Sequence, residues 1–266
     1  MKKIKKIIWL TGAWIIKILF SKNTLKAPFL KKIYYNINGG FTGNQVVLYN
    51  LNKKNKNNYL SEFDWYKSRF INKEYSYILN NKLICNDLLK KYITVPEVVL
   101  IKEKNNFYSY NNEYYDIEKA MKIIKNNKSV YYKPITAGKG TNVFRIEYKN
   151  NKYYIDHKLT KEQKIKELLT KNQNYFLSKM VEQANYLNNI YDKTTNTIRL
   201  VTIRDKDTNK VIITNAVQRI GIKESIPVDN GSRGALSCNI DLETGALGIA
   251  KSIKKNTEFK IHPDSR

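Results

Sequence analysis

The sequence predicts an α+β protein, with helices concentrated early in the chain and strands joined as antiparallel hairpins after them. Three observations carry this. Between Leu60 and Tyr92 the pattern is mainly helical, and in "NNKLICNDLLKKY" positions 83, 84, 87, 88 and 91 recur at helical spacing. The stretches "SVYYKPI" and "TNVFRIEYKNNKYYIDHKL" read as a strand followed by a hairpin. The last third is strand-rich: "NTIRLVTIRDKDTNKVIITNAVQRIG" holds two alternating strands around the turn "RDKDTNK". A chain of 266 residues has room for one large domain or two smaller ones sharing an interface.

Taken in order, the chain opens with "MKKIKKIIWLTGAWIIKILFSKN", a basic head on an apolar run. Lys17 interrupts that run, and it is short for a bilayer span. Ile7, Ile8, Trp9, Leu10, Trp14, Ile15, Ile18 and Leu19 form one broad helical stripe, suited to packing on protein or lying at a membrane interface. "NINGGFTGNQVVLYNL" reads as a turn-rich link around Gly39, Gly40 and Gly43. Ser61 is a candidate cap for the helix after it. A strand starts at Pro96 in "ITVPEVVLIK", and "NNFYSYNNEYYDIEKAMKIIKNN" is a turn or short hairpin leading into an amphipathic helix. "TKEQKIKELLTKN" is a helix for which Thr160 is the expected cap.

The formal charge is +25, from 48 Lys plus Arg against 23 Asp plus Glu. Such a surface attracts nucleic acid, anionic lipid or acidic substrates. The basic residues are mostly Lys scattered among Asn, Ile and Tyr, and no zinc spacing, GXXG clamp or helix-turn-helix pattern marks a specific nucleic-acid reader. Two cysteines, Cys85 and Cys238, and two histidines make a disulfide framework or closed zinc site a poor fit and suit a reducing cytoplasm. His157 reads as a surface or edge histidine.

The chemistry centres on "VYYKPITAGKGTNVFRIEY". Lys133 ends a strand, and Gly138 and Gly140 let backbone N–H groups converge on an anion, with Lys139 between them. The order is neither Walker A nor a dinucleotide fingerprint, so phosphate loop and plain hairpin turn both stand. Lys82, at a helix start, pairs with Lys133 as a two-lysine clamp for polyphosphate, or is one more solvated lysine. In a Lys-dominated chain, Arg199, Arg219 and Arg233 stand out, as forks for phosphate or carboxylate or as internal ion pairs. Asp229, Asn230, Asp241 and Glu243 can orient a substrate or approach Mg²⁺ through water. "DLETG" is equally an ordinary turn.

Seven pieces, in family order, carry a resemblance: "YLSEFDWYKSRFINKEYSYILNNKL", "YITVPEVV", "YYKPITAGKGTNVFRI", "NTIRLVTI", "VQRIG", "VDNGSRGALSCNIDLETGALG" and "HPDS". The chain resembles the sugar-transfer-associated ATP-grasp proteins, which are related to α-L-glutamate ligases, over roughly residues 30–266. The resemblance implies an ATP-grasp fold of two α+β subdomains with mainly antiparallel sheets. The residues themselves give a basic amphipathic helix at 1–29, and the resemblance implies a helical lead-in at 30–95, a small lobe with the phosphate loop at 96–178 and a partial C-terminal lobe at 179–266.

The same resemblance implies ATP and Mg²⁺ as cofactors. Lys82, Lys133, Gly138, Lys139 and Gly140 would hold phosphates. Backbone from Lys179 to Val181 would meet adenine, with Glu182 or Gln183 near the ribose. Arg199, Arg219, Asp229 and Asn230 would serve the acceptor side, and Asp229 and Asp241 the metal. The implied reaction is activation of a small-molecule carboxylate as an acylphosphate, which an amine then attacks, in surface or capsular polysaccharide biosynthesis. Ser178, Asn81 and "NGSRGA" depart from the family pattern, and no Glu-x-Asn pair follows Asp241. The resemblance therefore implies a C-terminally truncated fold with little ligase activity of its own. The sequence expectation is a cytoplasmic protein. A non-catalytic, membrane-associated member of a polysaccharide pathway, touching the inner membrane face through residues 1–20, is the alternative.

Overall fold

A computed structural model describes residues 2–72, 74–138 and 140–265. The chain divides into two compact units, 1–76 with 254–256, and 77–253 with 257–266.

The first unit is helical. Helix α1 (Lys2–Ala13) runs into a π-helical turn, Trp14–Leu19, and is followed by α2 (Phe29–Ile37), α3 (Gly43–Leu48) and α4 (Glu62–Ser68). Its core gathers Tyr35, Phe41, Val46 and Leu51. The expected glycine link contains a helix, α3. The Thr42 side chain accepts from Gln45 N, and the Gln45 side chain accepts from Thr42 N, so two orphan donors are satisfied at once. The Thr-x-x-Gln spacing was the available signal. Ser61 caps α4 as expected, accepting from Asp64 N at 3.1 Å. The N-terminal stripe splits. Trp9 packs edge-on against Tyr66 and Phe70, and Ile18 is fully buried, whereas Ile7, Ile8 and Ile15 point to solvent.

Between the units' cores the chain forms α5 (Tyr75–Asn80). The second unit continues with α6 (Lys82–Leu89), whose cap Asn81 accepts from Leu83 N and Ile84 N. The strands that follow are β1 (Val98–Glu103), β2 (Asn106–Tyr108), β3 (Tyr114–Tyr115), β4 (Ser129–Pro134), β5 (Phe144–Lys149), β6 (Lys152–Ile155), β7 (Lys158–Thr160) and β8 (Tyr175–Lys179). They make one antiparallel sheet in the order β3-β2-β1-β8-β4-β5-β6-β7.

Helices α7 (Ile117–Asn127) and α8 (Glu162–Lys171) bury Met121, Ile124, Ile165 and Leu169 against Leu100, Val130, Tyr132 and Leu177. Asp116 caps α7 by accepting from Lys119 N at 2.7 Å. Thr160 does not cap α8. Its backbone is committed to the β6–β7 ladder opposite Tyr153, so the helix starts later, with Lys161 at the cap position and no side-chain bond there.

Strand β8 and the short helix α9 (Asn185–Ile190) lead to β9 (Thr197–Arg204), β10 (Val211–Ile220), β11 (Leu236–Ile240), β12 (Ala250–Ser252) and β13 (Thr257–Phe259). These form a second antiparallel sheet, β13-β12-β11-β10-β9. Ile220, Leu236 and Cys238 pack with Tyr191 and Ile222 on one face. β9 is an edge strand exposed along nearly its whole length.

Candidate functional site

Strand parity sorts the first sheet. Val130 and Tyr132 of β4 enter the core, so Tyr131 and Lys133 take the other face. Register places Phe176 opposite Lys133 and Ser178 opposite Tyr131. The Lys133 ammonium lies 5.0 Å from the centre of the Phe176 ring. Ser178 is fully buried on this face, and its hydroxyl has no hydrogen-bond partner.

Lys82, at the first turn of α6, joins the base of the loop that follows β4. Its backbone N–H donates to Ile135 O at 3.0 Å, and its ammonium donates to Pro134 O at 3.0 Å and Ala137 O at 2.7 Å. Neither ammonium has a carboxylate partner among the described residues. Burial, with the nearby charge of Lys82, lowers the Lys133 pKa to about 8. Burial also lowers that of Lys82.

The loop's glycines differ. A Cβ on Gly138 would meet nothing within 4 Å. Gly140 has φ +64°, and a Cβ there would stand 2.9 Å from Val228 Cγ2 and 3.5 Å from Asn230 Cβ. A glycine is what lets the loop approach the Val228–Asn230 segment this closely. Lys139 lies outside the described residues.

In the second sheet, Ala216, Gln218 and Ile220 of β10 are buried, so Val217 and Arg219 take the opposite face. Arg219 is paired with Thr197 and Val217 with Arg199, which places both arginines on that face. Arg219 is bound internally: Nη2 meets Asp229 Oδ1 at 2.9 Å, and Nε donates to Thr197 Oγ1 at 3.0 Å. The Thr197 hydroxyl donates to Asp229. Burial pushes the Asp229 carboxyl above its usual value, partly offset by Thr197 and Arg219. Arg199 is exposed.

Other candidates have local duties. Asn230 Oδ1 accepts from Ser232 N and Ser232 Oγ at 2.9 and 2.6 Å. Asp241 Oδ1 accepts from Glu243 N, Thr244 N and the Thr244 hydroxyl, which is the turn reading of "DLETG". Lys179 pairs with Glu97 at 2.7 Å. Gln183 turns toward the α9 turn: Nε2 donates to Asn188 Oδ1 at 2.7 Å, and Oε1 accepts from Asn196 N at 2.9 Å. Val181 and Glu182 are exposed. No group of three or more His, Cys, Asp or Glu side chains among the described residues is placed to hold a metal.

His157 sits in the turn before the edge strand β7, in line with the surface or edge reading. It is half-buried, with Nδ1 3.1 Å from Glu147 Oε2 and Nε2 3.0 Å from Lys193 O. Burial pushes the Glu147 carboxyl up, but His157 and Arg145 together hold it below its usual value. Sequence reasoning missed Tyr131, whose hydroxyl lies 3.2 Å from Thr195 Oγ1 and donates to Pro227 O at 3.2 Å, tying β4 to the segments flanking β9 and Asp229. A tyrosine among 20 carries no sequence signal for that role.

Two antiparallel, helix-backed parts, with a lysine pair and a glycine loop at the strand ends, are the arrangement of an ATP-grasp fold. A model of the family described as sugar-transfer associated ATP-grasp matches residues 63–266, and the chain belongs to that family. Membership places it in the ATP-binding, ligase-like class. No match was found among curated proteins or solved structures.

Proposed function

We propose that this chain binds ATP between the Lys82–Lys133 pair and the 136–141 loop and serves a carboxylate–amine ligation in surface polysaccharide biosynthesis. One observation carries the reading: Lys133 at the end of β4 and Lys82, which bonds the carbonyls of Pro134 and Ala137, are both partly buried at the base of one loop, with no carboxylate partner for either among the described residues. A polyphosphate would supply that counter-charge, and the open space at Gly138 would admit it.

Bound ATP supplies the phosphoryl group that activates a carboxylate. The chain's own residues hold and shield it: Lys82 anchors the loop base, Lys133 neutralises phosphate charge, and Gly140 lets the loop lie against Val228 and exclude water. Arg199, exposed on the face it shares with Arg219, is the free fork for an acceptor carboxylate. Among the described residues no cage for Mg²⁺ forms: Asp229 is engaged by Arg219 and Thr197, and Asp241 by its own turn.

Titration calorimetry of the full chain with Mg-ATP tests the reading. Saturable heat is expected, with affinity about 10- to 100-fold weaker in Lys133→Ala, as for loss of one charge-assisted contact. No heat, or equal affinity in the variant, refutes it.

A further inference from the structure

The helical unit at 1–76 carries a surface that nucleotide chemistry does not use. Its first acidic residue is Glu62, and twelve lysines precede it. α1 presents two opposite faces. Through one, Trp9 lies edge-on to Tyr66 and Phe70 with ring centres 5.9 and 5.3 Å apart, and the Lys6 ammonium sits 4.7 Å from the Phe70 ring centre. Through the other, Ile4, Ile7 and Ile8 are 62%, 54% and 65% exposed at i, i+3 and i+4. α2 repeats the design. Tyr35 and Asn36 are buried, while Leu30, Tyr34 and Ile37 line its outer side at i, i+4 and i+7, Leu30 being 80% exposed. Beside Trp9, a cavity of about 560 Å³ is rimmed by Lys5, Lys6 and Arg69 and floored by Trp9 and Phe70.

We infer that this unit is a docking surface for a bilayer containing anionic lipid. It lies on the membrane through Ile4, Ile7 and Ile8, with the exposed Lys5 beside them at the headgroups. Aliphatic side chains held out of a folded unit enter the acyl boundary favourably, and ammonium groups around them attract lipid phosphate.

No helix among the described residues is long and apolar enough to cross a membrane, so the mode is surface docking. A second copy is a poor occupant. It would press two acid-free, lysine-rich segments together with no carboxylate before Glu62 to pair with them. A nucleic acid would use the lysines but leave the isoleucine stripe in water. The inference is independent of the nucleotide reading.

Flotation of the full chain with phosphatidylcholine vesicles, with and without phosphatidylglycerol, tests it. Binding is expected only with phosphatidylglycerol, weakening as salt rises. Ile4→Glu/Ile8→Glu should reduce partitioning by at least about tenfold, because two buried aliphatic side chains are lost from the interface. Its thermal melt should match wild type, since both positions are exposed. Val211→Glu, at an exposed apolar position of β10, should bind like wild type. Equal partitioning of the isoleucine pair variant and wild type overturns the inference. So does tighter binding to a single-stranded RNA oligonucleotide than to the anionic vesicles, or a wild-type dimer by light scattering that the pair variant turns into a monomer.

Discussion

The Lys82–Lys133 pair and the Arg219 cluster are both cationic and both half-buried, and Lys133 and Arg219 lie on the strand faces opposite their cores. Arg219 brings its own counter-ion, with Asp229 and Thr197 closing a short hydrogen-bonded circuit around its guanidinium. Lys133 has an aromatic ring and another cation. The first arrangement is satisfied within the fold and stabilises it. The second is strained electrostatically until something anionic arrives. Residue type alone does not separate the two. The difference lies in whether a carboxylate reaches the same strand face.

The strongest way to break this comparison is Asp229→Ala. It leaves a half-buried guanidinium without its counter-ion, and a loss of about 3 kcal/mol is expected from thermal or urea unfolding, at the low end of values for broken buried pairs. A melt unchanged from wild type would make the cluster no more than a surface contact.

The lysine side is sharpened by pH. Because the folded Lys133 pKa is lowered to about 8, nucleotide affinity should fall as pH rises through 8, by up to about tenfold per unit for one proton. Stability without nucleotide should move the other way. The unfolded chain keeps that proton up to about pH 10.4, so it binds more protons than the fold between about 8 and 10, and stability rises with pH there. Lys133→Met should remove this rise, read as the difference between the two proteins' unfolding free energies across that window.

Gly140→Ala should cost about 1–2 kcal/mol, from positive φ together with the approach to Val228 Cγ2. It should also weaken Mg-ATP binding in calorimetry, whereas Gly138→Ala, with open space around it, should leave stability within about 0.5 kcal/mol. The smallest effect is at Ser178. Its hydroxyl is buried without a partner, so Ser178→Ala should be neutral or stabilising by up to about 1 kcal/mol in urea unfolding. A loss there would mean the hydroxyl is satisfied in solution.

Much of the fold is legible in the sequence because the signals are local. The two-residue alternation of β4, the Ser61 cap and the hairpin around "RDKDTNK" act over a few residues, and each element lies where its pattern puts it. Reading failed where a competing local bond won. Thr42 and Gln45 turned a glycine-rich link into α3, and the β6–β7 ladder took Thr160 from α8. It could not supply the partners of the edge residue His157, because Glu147 and Lys193 lie 10 and 36 residues away, on other segments.

The sequence by itself determined the α+β class, the family to which residues 63–266 belong, the place of Lys82 at a helix start and Lys133 at a strand end, and the acid-free stretch before Glu62. Only the tertiary structure decided which charges are neutralised. Asp229 reaches Arg219 rather than a lysine, Asp241 turns into its own loop, and the isoleucines of α1 face water while Ile18 is buried. Secondary-structure propensity acts along the chain over one or two turns. Charge compensation and burial depend on atoms a few ångströms apart in space, and sheet register with helix packing sets those distances.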